Sequence, residues 1–210
     1  LEALIQHLRG RGDDASVPKL LEALVANASD GESLSRALWE LANYQRAVQN
    51  DRHAARATLE RAVEANSADA IAWLELELLA VQSADLTLRA RAIEARSRIC
   101  SDVNHQGILL IELARIRAAR GDVGQAVELL DSVLGLESRA RYRSRLVLEQ
   151  LAVEAQDMEL QALALEGQAE LISLALRDAA AGAAHGVPSI DADSTVAGEA
   201  WLRAGELRRR

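Results

Sequence analysis

Phenylalanine is absent from the 210 residues, and the other aromatics amount to three tryptophans and two tyrosines. A core without aromatic bulk has to be packed from aliphatic side chains, and with half the chain hydrophobic there are enough of them. Proline occurs twice. Together with abundant Ala, Leu, Glu and Arg, this composition favours helices and disfavours strands, so an all-α fold is expected. The single thiol, Cys100, excludes an internal disulfide framework. Lysine is reduced to Lys19, and the other positive charges are arginines scattered among glutamates. With a formal charge of −8 the chain lacks the concentrated positive field that phosphate backbones require, which argues against a nucleic-acid partner. No signal peptide and no membrane-spanning run is present, so no membrane insertion is expected and the cytoplasm is the favoured compartment. The chain begins at Leu1 without an initiator Met, as though cut from something longer, and an upstream targeting signal would lie outside it.

What the sequence does contain is periodic. The stretch NSADAIAWLELELLAVQ, Asn66 to Gln82, is apolar nearly all round, and its Trp73 stands 34 residues after Trp39 in SRALWELANYQ. Aspartates supply a ruler. Asp13, Asp51, Asp85, Asp122 and Asp157 each stand where one apolar-periodic segment ends and another begins, at intervals of 38, 34, 37 and 35 residues. Aspartate suits such a junction because its carboxylate accepts from the free N–H groups of a helix start and faces the positive end of the helix dipole. In ARGDVGQAVELL, Gly121 closes one helix, Asp122 opens the next, and Gln125 is placed for a capping box.

Columns set by these aspartates are consistent. Nine residues before each stand Leu4, Ala42, Leu76, Leu113 and Leu148, and eight after stand Leu21, Leu59, Ile93, Leu130 and Leu165, all apolar. Twelve before stand Leu1, Trp39, Trp73, Leu110 and Arg145, a bulky slot that is polar only in the last unit. Five helix pairs are expected, with first helices near 1–9, 32–49, 69–82, 103–120 and 138–155 and second helices near 17–28, 51–66, 85–100, 122–136 and 157–177. Residues 178–195, small and broken by Gly182, Gly186 and Pro188, read as a linker or long loop. The pattern restarts over 196–210 with Trp201 in the bulky slot and Gly205 in the small slot, so both ends look like cuts through a longer array.

Over residues 1–177 the sequence resembles the tetratricopeptide repeat family, whose unit is a helix–turn–helix of about 34 residues. The closest unit runs from Gly107 to about Arg141, with Leu110, Leu113 and Ala114 in the first-helix slots and Ala126 and Leu130 in the second. Ala55, Leu59 and Ala62 repeat the second-helix slots one unit earlier. The departures are Asn43, Glu77 and Glu149 in the small slot, and Arg89 and Gln161 where the family has Ala. The resemblance implies a right-handed α-solenoid that binds a peptide or helix on its concave face.

Catalytic chemistry is not written here. His7, His53, His105 and His185 lie in different units without metal-ligand spacing, and no phosphate-cradling glycine motif occurs. Cys100 has no base nearby in sequence and reads as a small core or interface residue. DADST at Asp191–Thr195 starts like a calcium loop, but Val196 and Leu202 hold the places of its glycine and glutamate. The two RGD tripeptides, Arg11–Asp13 and Arg120–Asp122, recur at one point of the repeat, where glycine ends a helix and aspartate starts the next. No catalytic, cofactor-binding or metal-binding residue is therefore assigned.

First helices line the concave face of such an array, and the positions two before, one after and five after the bulky slot are those the resemblance turns inward. They are Ala37, Glu40 and Tyr44; Ile71, Leu74 and Leu78; Ile108, Ile111 and Arg115; and Arg143, Leu146 and Gln150. The candidate partner-binding residues are Tyr44, Leu74, Leu78, Ile111, Arg115, Arg143 and Leu146, an apolar floor with charged ends. The expected function is that of a non-enzymatic interaction scaffold, a segment of a larger repeat protein. The alternatives are packing of these residues on a neighbouring or symmetry-related helix by self-association, and a regulatory or dimerising arm of an enzyme or signalling protein whose catalytic domain lies elsewhere.

Overall fold

The computed structural model describes residues 16–180 and 194–209, and among these there are ten helices and no strand. In chain order they are α1 (Val17–Ala26), α2 (Gly31–Ala47), α3 (Arg52–Ala65), α4 (Ala70–Gln82), α5 (Leu86–Ile99), α6 (Val103–Ala119), α7 (Val123–Leu134), α8 (Ala140–Glu154), α9 (Met158–Ala180) and α10 (Ser194–Leu207). Two compact units divide them at Ile99 and Cys100. In the first, α2 packs on α3 and α4 on α5, with α1 against α2 and α3 against α4. In the second, α6 packs on α7, α8 on α9 and α9 on α10, and α6 also reaches α8. Three or four residues separate α2 from α3, α4 from α5, α6 from α7 and α8 from α9, which forces each pair antiparallel.

The fold is a helical repeat, and the apolar columns are its core. Ala42, Leu76, Leu113 and Leu148 of the first column are all buried, as are Leu21, Leu59, Ile93, Leu130 and Leu165 of the second. The bulky slot holds Trp73, buried between α2 and α3 on one side and α5 on the other through Leu38, Ala42, Ala55, Leu59, Leu88 and Ala92. In the last unit Arg145 fills this slot with its stem. Its Nη1 donates to Asp131 at 3.1 Å, and its chain runs so close over Gly167 that a Cβ there would stand 2.6 Å from Nε.

The junctions show why aspartate marks the period. Asn50, Ala84, Gly121 and Gln156, each the residue before the aspartate, have φ of 53°, 53°, 88° and 56°, the left-handed region. At three of them the following aspartate N–H donates five residues back, Asp85 to Ala80, Asp122 to Arg117 and Asp157 to Ala152, each at 2.9 Å. This is the Schellman closure of the preceding helix, with the aspartate as its last member and the first of the next. The carboxylates of Asp51, Asp85 and Asp157 then accept from Ala54, Leu88 and Leu160 amides at 2.9 Å. The Leu88 amide is the main cause that holds the Asp85 carboxyl below its usual range.

Asp122 departs from this expectation. It makes no side-chain cap and the box with Gln125 is not formed, because its ψ of 56° falls short of the extended backbone that swings a cap side chain over the helix end. Gly121 does close α6, so the second RGD is a helix junction. Non-glycine residues in the left-handed region cost about 1–2 kcal/mol there. Ala84→Gly is accordingly expected to raise stability by roughly 0.5–1 kcal/mol, after the loss to unfolded-state entropy, and Gly121→Ala to lower it by a similar amount. Urea midpoints read by ellipticity check both signs.

Two of the three units that depart from the small-slot pattern have their helices joined by a polar contact there, while the position facing Asn43 is the buried Ala62. Glu77, in the small slot of α4, pairs with Arg96 of α5, and both side chains are about 15% exposed. Two units on, Glu149 of α8 accepts from Gln168 Nε2 of α9 at 2.7 Å. Glu77 and Glu149 occupy one repeat position and Arg96 and Gln168 another, so the same inter-helix contact is made polar twice. In the intervening unit the two positions hold Ala114 and Val133, both buried.

The expected helix at 1–9, with His7, Asp13 and the first RGD, lies outside the described residues. So do His185, residues 181–193 of the expected linker and the start of DADST. Residues 178–180 are helical rather than loop, since Asp178–Ala180 contains nothing that stops a helix rich in alanine and leucine. The final helix begins at Ser194, two residues before the expected start.

Candidate interaction surfaces

Helix α4 answers for its own composition. Asp69 caps it, accepting from the Ile71 and Ala72 amides at 3.0 Å each, and Ser83 closes it with its hydroxyl on the Leu79 carbonyl at 2.9 Å. Ala72, Trp73, Leu76, Leu79 and Ala80 face the core. Ile71, Leu74, Leu78 and Val81, spaced i, i+3, i+7 and i+10, form a stripe on the opposite side and are 58%, 39%, 43% and 53% exposed. The two glutamates of the helix turn sideways. Glu75 accepts from Arg46 Nη1 of α2 at 2.7 Å and Glu77 pairs with Arg96 of α5, so the stripe carries no charge of its own. Leu74 and Leu78 are thus exposed on one surface, as the sequence positions them.

Tyr44 does not belong to that surface. It is 5% exposed and packs with Val17 and Leu21, because α1 lies against α2 and covers this side of it. Ala37 is buried as well. The first unit also has a cleft of about 220 Å3 between α3 and α4, lined by Arg52, His53, Arg56 and Leu79. Arg56 is held there by Glu60 at 3.2 Å and Asp85 at 3.0 Å.

In the second unit Ile111 is 1% exposed, which corrects its placement on an open floor. The cause lies one turn back, at Gly107, where a Cβ would stand 2.8 Å from that of Ala140. Glycine lets α8 close on α6, and Ile111, four residues further along the same side, is sealed beneath it in a cluster with Val147 and Leu148. Arg115 stays half-exposed and pairs with Glu112 at 3.0 Å. Arg143, Leu146, Gln150 and Val153 form an outward stripe on α8, with Leu146 43% exposed. Between the C-terminal halves of α6 and α8 lies a cleft of about 460 Å3 lined by Arg115, Ala118, Val147, Gln150, Leu151 and Glu154. Gln150 Nε2 donates to Glu154 Oε1 at 3.0 Å on its rim. The structure therefore brings Arg115 to the cleft, and Arg143 with Leu146 to the α8 stripe.

Among the described residues no three His, Cys, Asp or Glu side chains are grouped to hold a metal ion, and no helix is long and apolar enough to cross a membrane. Cys100 is half-buried, with its thiol 3.4 Å from the Asp102 carbonyl oxygen.

The fold and these surfaces define a helical-repeat protein with apolar helix faces left open. No family model matches the chain, and no curated protein matches it either. Among solved structures, the crystal structure of MamA is similar at 12% sequence identity, covering 98% of this chain and 94% of that one with a TM-score of 0.39. So loose a likeness carries neither activity nor partner to this chain.

Proposed function

We propose that this chain is a non-enzymatic, tetratricopeptide-like interaction scaffold, and that the α4 stripe of Ile71, Leu74, Leu78 and Val81 docks an amphipathic helix or an extended peptide with aliphatic anchors. The observation that carries it is the direction of the α4 glutamates. Both are spent on lateral contacts to α2 and α5, which leaves four large aliphatic side chains together in solvent. Roughly half of each remains to be buried, so the four supply on the order of 3–6 kcal/mol before association costs. In the second unit, Leu146 with Arg143 on α8, and Arg115 at the cleft, form a second surface that favours a peptide with an acidic side chain.

A library of 16-residue peptides selected on the wild-type chain tests this proposal. Leu78→Asp is expected to lose the selected peptides while ellipticity and midpoint stay unchanged, since an exposed aspartate remains solvated in the free protein. Peptides that bind the variant equally well would remove α4 from the interface. A concentration-dependent mass abolished by Leu78→Asp would instead assign the stripe to self-association.

A further inference from the structure

Helices α6 and α8 touch at one end and part at the other. At their N-terminal ends the Asn104 side chain accepts from the Arg139 amide at 2.9 Å, and Gly107 lies against Ser138 and Ala140. Toward their C-terminal ends stands the cleft of about 460 Å3. The repeat shows where its room comes from. Four and three residues before the marker aspartate, α4 has Val81 and Gln82 and α8 has Val153 and Glu154, whereas α6 has Ala118 and Ala119. Reducing one wall to two methyl groups leaves the cleft open over Val147 and Leu151.

The two ends of this cleft carry opposite charge. Arg115 stands level in the repeat with Gln150, and Glu112 neutralises it at 3.0 Å. Glu154 stands one turn further along α8. It is exposed, and among the described residues its partner is the uncharged Gln150 amide, which donates to Oε1 at 3.0 Å. Helix α8 has no basic residue in its last turn, so the partial negative charge of the helix end adds to this carboxylate instead of being offset. The outer end of the cleft thus joins an aliphatic floor to a carboxylate that has no counter-ion among the described residues.

We propose that the α6–α8 cleft takes a lysine side chain of a partner peptide, with its methylene stem along Ala118, Val147 and Leu151 and its ammonium on Glu154. The inference rests on the scaffold reading above and adds an anchor to it: the acidic side chain that Arg115 favours and this lysine lie about one helical turn apart on the ligand. A purely aliphatic side chain would cover the floor but leave the carboxylate unpaired, and an acidic one would bring like charge to it. Chain that follows α10 is not the occupant. In a repeat array each unit stacks on its neighbours, so such chain adds to α9 and α10 and not to the interval between α6 and α8.

The 16-residue peptides selected on the full chain are the probe, each resynthesised with norleucine in place of its lysine, which keeps the stem and removes the charge. A lysine is expected at one position, and its replacement should weaken binding about tenfold, the effect of one hydrogen bond to a charged group. In Glu154→Gln the lysine and norleucine peptides should bind within about twofold of each other. Ala118→Leu, which fills the cleft with a good helix former, should weaken both while ellipticity stays unchanged. A lysine preference that persists in Glu154→Gln overturns the proposal, and so do selected peptides that bind equally well with norleucine. Should Ala118→Leu disturb the fold, Glu154→Gln on the exposed rim decides alone. Selection of no peptide at all would remove the scaffold reading together with this one, whereas peptides bound without a lysine preference would remove this one only. Leu78→Asp should leave the lysine preference intact, which separates the cleft from the α4 surface.

Discussion

Trp73→Ala is expected to lower the stability of the first unit by roughly 3–5 kcal/mol, the usual range for truncating a large core side chain. Trp73 is 6% exposed and lies in a cluster drawn from four helices, so its removal opens a cavity that no single helix can collapse into. Two further contacts are lost with it: the indole N–H donates to the Ser67 carbonyl at 2.9 Å, and Arg91 stacks over the ring. Trp201→Ala should cost about 1 kcal/mol or less, because nearly half of that side chain is already in water. Denaturant titrations followed by ellipticity compare the two. Equal losses would show that the two tryptophans do not occupy different environments and would undo the repeat frame.

That frame was legible in the sequence because its punctuation is local chemistry. An aspartate that closes one helix with its N–H and caps the next with its carboxylate needs only its own neighbours, so the positions of Asp51, Asp85 and Asp157 carry the turns without tertiary information. A second set of caps was equally readable and was missed. Asp30, Asp69 and Asp102 open α2, α4 and α6, each accepting from amides of the first turn. They stand before apolar-periodic runs just as the first set does.

Which face of each first helix stays open was not legible. One rule of offsets places Ile71, Leu74 and Leu78 outward on α4 and Arg143, Leu146 and Gln150 outward on α8. The same offsets put Ala37 and Tyr44 of α2, and Ile111 of α6, in the core. Periodicity gives the angle of a side chain about its helix and says nothing of what lies across from it. Tyr44 is covered by α1, and Ile111 by the approach of α8 that Gly107 permits. The polar pairs show the opposite case. Taken singly, Glu77 and Glu149 look like broken columns, but in both of these units the facing column is polar too, as Arg96 and Gln168, a signal of contact already present in the repeat although Asn43 faces Ala62.

This coupling sets the second large expectation. Glu77→Ala should cost about 2–4 kcal/mol, toward the lower part of the range for breaking a buried ion pair, since both side chains keep some contact with water. Most of the loss is the penalty of leaving the Arg96 guanidinium between α4 and α5 without its carboxylate. Adding Arg96→Val removes that charge and recreates the small-and-aliphatic contact of Ala114 and Val133 in the neighbouring repeat. The double variant is therefore expected to regain most of the lost stability, although it has lost more interactions than the single one. Thermal and urea midpoints of the wild type, both single variants and the double complete the cycle. A double variant no more stable than Glu77→Ala would mean that the pair holds α5 on α4 in its own right, and that repeat units with polar and with apolar contacts at these positions are not interchangeable.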